Sequence, residues 1–230
     1  MQPPARLFIV LLFTFTMAGC TNSSQQTPAD QEASDLQVFE EVDGFLEVEA
    51  EDYHATETYG IPRTWVHITS ESVAANNTTD HTGTASNGAY LEALPDTRVT
   101  HDDSLIVGTN FFPEAGVGPM ISYNVRFNTP GTYTLWARAY STGTEDNGIH
   151  AGINDTWPEN SQRLQWCEGK NKWTWTSAQR VPDNHCGTPG TITMEIEEAG
   201  VHTIQFSMRE DGVAFDKWIM TTDTTLVPAD

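Results

Sequence analysis

Apolar residues recur at every second position in three stretches of the chain, 133–140, 192–197 and 204–209. Side chains of a β-strand point alternately to the two faces of its sheet, so this period is typical of strands with one buried face. About ten such strands, with no helical periodicity, predict an all-β, antiparallel β-sandwich over residues 45–230, with the polar stretch 70–88 as a loop. The other predicted strands, which are bounded by turn-forming residues, lie at 45–53, 64–69, 121–127, 149–154, 163–167, 173–179 and 213–222.

The N-terminus has the pattern of an export signal. One basic residue precedes an apolar run from 7 to 17, which two small residues follow. A membrane-spanning helix needs about 20 apolar residues, and this run is about half as long, so a signal peptide over residues 1–19 is favoured over a transmembrane anchor. The tetrapeptide Met-Ala-Gly-Cys at 17–20 resembles the bacterial lipobox. The resemblance implies lipidation of Cys20 and an exported protein, anchored to the bacterial membrane and facing the periplasm or the cell exterior.

The charge of the chain is strongly negative. Eleven basic residues stand against 32 acidic ones, which leaves a net charge of -21. This excess excludes the phosphate-neutralising surface of non-specific nucleic-acid binding, and it leaves the lipid on Cys20 as the one expected contact with a membrane. After Cys20, residues 21–44 contain six acidic and no basic residues. The segment 20–44 is therefore predicted to be a flexible, self-repelling tether.

With Cys20 assigned to lipid, two cysteines remain, Cys167 and Cys186. In an exported chain this number predicts a disulfide, and two buried free thiols are the alternative. The bond would close a loop of about twenty residues and contribute about 3 kcal/mol in the chain-entropy model. It would also fix the surface formed by this loop.

The segment 163–180 combines positive charge with indole rings. It holds four basic residues, Arg163, Lys170, Lys172 and Arg180, with a single acidic one. Flat indole faces stack on sugar rings, and basic side chains pair with carboxylates or sulfates. We therefore expect a polysaccharide platform, with an anionic glycan such as a uronan or sulfated galactan favoured over neutral glucan. The candidate ligand-binding residues are Arg163, Trp166, Lys170, Trp173 and Trp175, with Asp146, Asn147 and His150 from a neighbouring loop.

Three further segments carry motifs of a known family. They read VEAEDY at 48–53, PGTYTLWARA at 130–139, and GVHTI at 200–204 followed by DGVAFDKWI at 211–219. In this order they resemble carbohydrate-binding modules of families 6 and 35, over roughly residues 45–223. The resemblance implies a galactose-binding-like jelly-roll sandwich that binds sugars with aromatic residues at one end.

The same resemblance implies a structural Ca²⁺ where the first and last strands meet. Glu49 and Glu51 are two positions apart, so a strand would project both to one face, and Asp216 would add a third oxygen donor. The alternative is that Glu49 and Glu51 face solvent. Trp173 is the nearest match to the ligand-binding tryptophan of the family, with Trp175 as the alternative.

These features predict a membrane-anchored lipoprotein that binds polysaccharide without catalysis. No serine-nucleophile elbow, phosphate-binding loop or zinc-protease signature occurs in the sequence. One alternative is a small polysaccharide-degrading lyase or glycosidase of the same shape. The other is a surface lipoprotein that contacts proteins, with Trp166, Trp173 and Trp175 entirely in its core.

Overall fold

The computed structural model describes residues 37–159 and 163–229, which form two β-sheets around a common core. The predicted signal peptide 1–19, Cys20 and most of the predicted tether lie outside the described residues. The strands are β1 (Val38–Glu40), β2 (Phe45–Glu49), β3 (Ala55–Glu57), β4 (Thr64–Thr69), β5 (Ala89–Leu94), β6 (Met120–Phe127), β7 (Gly131–Tyr140), β8 (Gly148–Ile153), β9 (Leu164–Gln165), β10 (Trp173–Thr176), β11 (Thr193–Ile196), β12 (Gly200–Met208) and β13 (Ala214–Thr221). The helical segments are α1 (Val73–Asn76) and three 3-10 turns, Ala50–Asp52, Thr82–Thr84 and Ser86–Gly88.

The two sheets are antiparallel apart from one pair of strands. Sheet A has the order β1-β6-β12-β8-β9, with β3 also paired to β6. Sheet B has the order β10-β7-β13-β5-β4, with β11 paired to β7 and β2 to β13. The exception is β1, which runs parallel to β6. The predicted antiparallel β-sandwich is confirmed.

The core between the sheets is aromatic and comes from both of them. Trp218 of β13 lies 5.1 Å from Tyr123 and 5.5 Å from Phe206 between ring centroids, and all three side chains are fully buried. The predicted alternation in β7 is also observed, because Tyr133 and Leu135 point into this core. The hydrophobic pattern thus defines the inner face of each long strand.

The sandwich begins earlier than the predicted boundary at residue 45. The β1 strand pairs with β6, and Glu41, which follows it, is fully buried. The Glu41 carboxylate accepts hydrogen bonds from the backbone N–H groups of Gly44, Asn128 (2.7 Å) and Thr129 (2.9 Å). Burial alone would raise the pKa of Glu41, but these hydrogen bonds lower it. The last residues of the predicted tether are therefore part of the fold, because one of its acids has a structural role.

The outer face of sheet B is partly covered by residues 70–88, which we call the cover segment. A second apolar cluster forms there, to which the cover segment contributes Val73 and Ala85. The predicted loop is thus a packed layer with three short helical turns. No helix within the described ranges is long and apolar enough to cross a bilayer. The residues of sheet B in this cluster are Val66, Ile68, Tyr90, Leu94, Tyr140, Trp173 and Ala214.

Candidate functional site

Strand β10 places two tryptophans on the outer face of sheet B. It pairs with β7 so that Trp173 lies opposite Tyr140 and Trp175 lies opposite Arg138. Residues two apart on a strand share a face, as the sequence predicts. Their surroundings differ, since Trp173 is only 4% exposed whereas Trp175 is partly open to solvent.

Trp173 is enclosed by the cover segment and by β5 and β7. Its ring centroid lies 5.4 Å from that of Tyr90 and 5.5 Å from that of Tyr140, and the Arg138 guanidinium lies 5.5 Å from the ring. The indole N–H donates to Thr84 Oγ1 at 3.2 Å. The ring of Trp173 is therefore packed against neighbouring side chains, and its predicted contact with sugar stays a prediction.

Trp166 is also an interior residue. It is 1% exposed, belongs to the main core, and donates its indole N–H to the carbonyl of Thr174 at 2.9 Å. Trp166 directly follows the short strand β9 of sheet A, and Leu164, two positions earlier, belongs to the same core. The ring of Trp166 is thus part of the core, and its predicted ligand-stacking role stays a prediction.

The three polar candidates, Asp146 and Asn147 of the β7–β8 loop and His150 of β8, form hydrogen bonds within the protein. All three are at least 95% buried. The Asp146 carboxylate accepts hydrogen bonds from the Thr142 and Gly143 N–H groups at 2.7 and 2.9 Å, which fixes the turn. The Asn147 N–H donates to Glu210, and His150 Nε2 lies 2.9 Å from the Phe112 carbonyl oxygen. Internal hydrogen bonds therefore hold all three residues, and their predicted ligand contacts stay predictions.

The basic residues of 163–180 separate into two places. The Arg180 N–H donates to the Arg163 carbonyl at 3.0 Å, so these two are neighbours, and the Arg163 guanidinium donates to the Pro113 carbonyl at 3.3 Å. Lys170 and Lys172 are exposed on the turn before β10. The four basic residues that lie close together in the sequence therefore do not form one positive surface.

The predicted disulfide between Cys167 and Cys186 is formed, with 5.4 Å between the two Cα atoms. It joins the chain after β9 to the loop after β10. The next residue, Gly187, has a φ of +69°, and a Cβ there would lie 2.3 Å from the Gln179 carbonyl oxygen. This loop therefore needs glycine at 187 to pass so close to the neighbouring backbone.

A pocket of about 170 Å³ lies beside the disulfide, far larger than the roughly 10–15 Å³ that one water needs. We call it the disulfide pocket. Four of its lining side chains have a buried polar atom with no hydrogen-bond partner anywhere in 37–159 or 163–229. These atoms are Trp136 Nε1, Gln165 Oε1, Trp175 Nε1 and Ser177 Oγ.

This set of atoms has the chemistry to bind a polyhydroxylated ligand. A buried donor or acceptor left without a partner costs about 1–3 kcal/mol, so such atoms are normally satisfied. Two indole N–H donors, an amide acceptor and a hydroxyl match sugar hydroxyls, which both donate and accept. Sequence reasoning missed Trp136. Trp136 lies on β7 between Leu135 and Ala137, which face the core. The alternation of side chains along this strand therefore places the Trp136 indole on the outer face of sheet B.

The predicted cation ligands come close together at the edge between β2 and β13. Ser86 of the cover segment connects two of them, since its hydroxyl donates to Glu49 Oε1 at 2.7 Å and its N–H donates to Asp216 Oδ1 at 2.8 Å. Asp216 also pairs with Arg138. Glu51 lies in the 3-10 turn after β2, so the expected strand geometry is wrong for this residue.

The electrostatics of this carboxylate cluster favour a bound cation. Glu49 Oε2 and Glu51 Oε2 are buried without a hydrogen-bond partner among the described residues. Burial, together with the charges of Glu49, Asp52 and Asp216, raises the pKa of Glu51 to about 7. Burial likewise raises the pKa of Glu49. Across the described ranges, no three acidic, histidine or cysteine side chains form a complete metal-binding group. The carboxylate oxygens of Glu49 and Glu51 are the type of ligand that a hard cation prefers. The Asp216 carboxylate is already paired with Arg138.

Comparison with known proteins gives relatives and a family. An uncharacterized protein of Formosa agariphila is 46% identical over 224 residues, which cover 96% of this chain. The match spans 54% of that protein, so the chain corresponds to about half its length.

Solved structures with a similar arrangement include two carbohydrate-binding modules. The C-terminal CBM6 of LamC, a marine laminarinase of Zobellia galactanivorans, is 14% identical with a TM-score of 0.44, over 77% of this chain and 99% of that one. A family 35 module of Clostridium thermocellum is 17% identical with a TM-score of 0.43, over 77% and 98%. The model of the glycosyl hydrolase family 115 C-terminal domain matches residues 38–228, which include every described strand. The chain therefore belongs to the family of glycosyl hydrolase family 115 C-terminal domains.

Proposed function

We propose that the protein binds polysaccharide without catalysis, and that the disulfide pocket holds one sugar unit. The carrying observation is that four residues lining this pocket, one of them the partly exposed Trp175, each have a buried polar atom without a hydrogen-bond partner among the described residues. Membership of a family named for glycosyl hydrolases supports a polysaccharide as the ligand. Sugar hydroxyls would satisfy the buried atoms, and the indole would supply apolar contact with the ring.

The Trp175 ring is oriented before any ligand arrives. The Lys217 ammonium lies 5.7 Å from the ring centroid and is itself paired with Glu47 at 2.6 Å. On the other side of the pocket the disulfide holds the loop that carries Gly187 and Pro189. A preformed site loses little conformational entropy on binding, which suits a site that uses few contacts.

The binding experiment compares variants with the wild type in gels that contain single polysaccharides. Trp175→Ala should abolish retardation by the polysaccharide that retards the wild type. Trp157→Ala is the matched control, because Trp157 is also partly exposed but does not line this pocket. Equal retardation of Trp175→Ala and the wild type would contradict the proposed site. New reducing ends or unsaturated products on incubation would instead favour an enzyme.

We also propose that Glu49 and Glu51 hold a structural Ca²⁺. Their unpartnered oxygens and raised pKa values support this assignment. The ion would neutralise the two carboxylates and fix the end of β2 relative to the 3-10 turn that follows it. Ca²⁺ should raise the unfolding temperature of the chelator-treated protein, and Glu51→Gln should remove that increase. Glu71→Gln, an exposed change on the cover segment, is the control.

For the N-terminus we propose export and attachment to the bacterial membrane through a lipid on Cys20. The Met-Ala-Gly-Cys resemblance and the disulfide, which forms in oxidising compartments, support this. In bacterial cells, Cys20→Ala should move the protein from the membrane fraction to the soluble fraction. Retention of the variant in the membrane fraction would contradict the lipid anchor.

A further inference from the structure

A second pocket adjoins the disulfide pocket. It measures about 320 Å³, and Gln165 lines both pockets. His185, which lies in the second pocket, is the neighbour of Cys186 in the chain. Loops that follow β5, β7, β10 and β12 form its walls. We call it the basic pocket, after its basic lining residues Arg98, His101, Arg180, His185 and Arg209.

The lining carries more positive than negative charge. Three arginines face two carboxylates, Glu145 and Glu210, in a chain whose net charge is -21. Both carboxylates are already engaged: Glu145 lies 2.8 Å from His101 Nδ1 and 3.6 Å from Arg98, and Glu210 pairs with Arg209. Arg180 forms no ion pair with any residue that the structure describes. The lining therefore has one guanidinium group more than it has carboxylates.

Two of the guanidinium groups also have a free buried donor. Arg98 Nε and Arg209 Nε are buried and have no hydrogen-bond partner within the described part of the chain. Arg209 is only 3% exposed, and its guanidinium lies 4.7 Å from the Phe111 ring centroid, which fixes its position. Burial lowers the pKa of Arg209, and the nearby charges of Arg180 and Arg163 act in the same direction. An anion would relieve this repulsion and accept the free N–H groups.

We infer that the basic pocket binds an anionic substituent, a carboxylate or a sulfate ester, on the same polysaccharide whose sugar unit occupies the disulfide pocket. The inference rests on the proposed function and specifies its ligand class. Because Gln165 lines both pockets, they lie next to each other, and neighbouring units of one polysaccharide could occupy the two. Planar guanidinium groups suit both anions, because their N–H groups bind two oxygens at once.

The test measures affinity for matched acidic and neutral ligands. Polygalacturonate is compared with its carboxyl-reduced form, and a sulfated galactan with its desulfated form. Arg180→Gln should lower affinity for the bound acidic member about tenfold and leave affinity for its neutral counterpart unchanged. Arg126→Gln, the same charge change at an exposed position on β6, should alter neither. The pair that responds identifies the anion.

The outcomes separate the inference from the proposed function. If Arg180→Gln and Arg126→Gln change affinity equally, or if the neutral ligands lose as much as the acidic ones, the basic pocket is not the anion site, although polysaccharide binding stands. If the wild type binds no polysaccharide, titration with inorganic sulfate, followed by the imidazole NMR signals of His185, tests the pocket alone. A rise in the titration midpoint of His185 with sulfate, absent in Arg180→Gln, supports the pocket, and an unchanged midpoint overturns it.

Discussion

Trp173 and Trp175 lie two positions apart on one face of one strand, yet they belong to different environments. Trp173 lies under the cover segment, where rings and a hydroxyl satisfy it. Trp175 lies next to the disulfide pocket with its indole N–H unpartnered among the described residues. The difference shows that strand periodicity determines which face a side chain occupies. A distant segment of the chain decides whether that face is core or binding surface.

The largest effect should come from removing the covered indole. Trp173→Ala is expected to lower the free energy of unfolding by about 3–5 kcal/mol, because it leaves a cavity among packed rings. Polysaccharide affinity of the folded variant should not change. Urea unfolding of Trp173→Ala beside Trp175→Ala makes the comparison. A smaller loss for Trp173→Ala than for Trp175→Ala would contradict the assignment of the two environments.

Removing the disulfide should lower both the stability of the protein and its affinity for polysaccharide. The double variant Cys167→Ala, Cys186→Ala opens a loop with a sequence separation of 19 and should lose about 3 kcal/mol of stability. Polysaccharide affinity should fall as well, since both cysteines line the disulfide pocket. Denaturant titration and affinity gels at a temperature where the variant is folded check both effects. Reduced stability with full affinity would show that the pocket is not the binding site.

The buried carboxylate of Glu92, which contacts the cover segment, should make the stability of the protein depend on pH. Thr78 of the cover segment donates to Glu92 at 2.7 and 2.6 Å, and burial raises the pKa of Glu92 from 4.5 to about 7. Since the folded-state pKa lies above that of the unfolded chain, the stability contribution is complete below about pH 4.5 and is lost as pH rises through 7. Glu92→Gln should therefore stabilise the protein by about 2–3 kcal/mol at pH 8.

The same substitution should have little effect at pH 4. Unfolding curves at the two pH values measure the difference. Glu71→Gln is the exposed control and should show no such dependence. A gain for Glu92→Gln that is equal at both pH values would contradict titration of Glu92 as its cause.

The smallest expected effect concerns the indole N–H group of Trp136, a residue that lines the disulfide pocket. Trp136→Phe keeps an aromatic ring and removes the unpartnered donor, so it should not reduce stability by more than about 1 kcal/mol. Affinity for polysaccharide should fall about fivefold to tenfold, which corresponds to one lost hydrogen bond. Isothermal titration with Trp157→Phe as control measures it. Unchanged affinity would remove Trp136 from the site.

Local pattern was sufficient for much of this molecule. The period of two in β7, β11 and β12 predicted the sandwich, and the cysteine count predicted the disulfide. The site needed information that spacing does not hold. Trp173 is buried by residues about ninety positions earlier, and Glu51 leaves the strand because β2 ends at Glu49. Arg98 and Arg209 of the basic pocket come from loops far from the segment 163–180 in which positive charge is concentrated.

The contacts of Asp146, Asn147 and His150 could not be predicted from the sequence either. Polar residues near a loop suggest a ligand, but here Asp146 accepts from N–H groups of its own loop, the Asn147 N–H donates to Glu210, and His150 contacts the Phe112 carbonyl. Sequence composition cannot distinguish the two uses. Only the identity of the hydrogen-bond partner does, and that partner is set by the packing of other segments.

The way the cover segment is attached has a consequence for limited proteolysis of the protein. Ala74, Ala75 and Asn77 are exposed on its outer turn, where a protease would reach them first. Everything after that turn is separately attached: His81 stacks on Tyr140 at 3.7 Å, and Ser86 hydrogen-bonds with two carboxylates. A nick at the turn should therefore give two fragments that stay associated under native conditions and separate only when the protein is denatured.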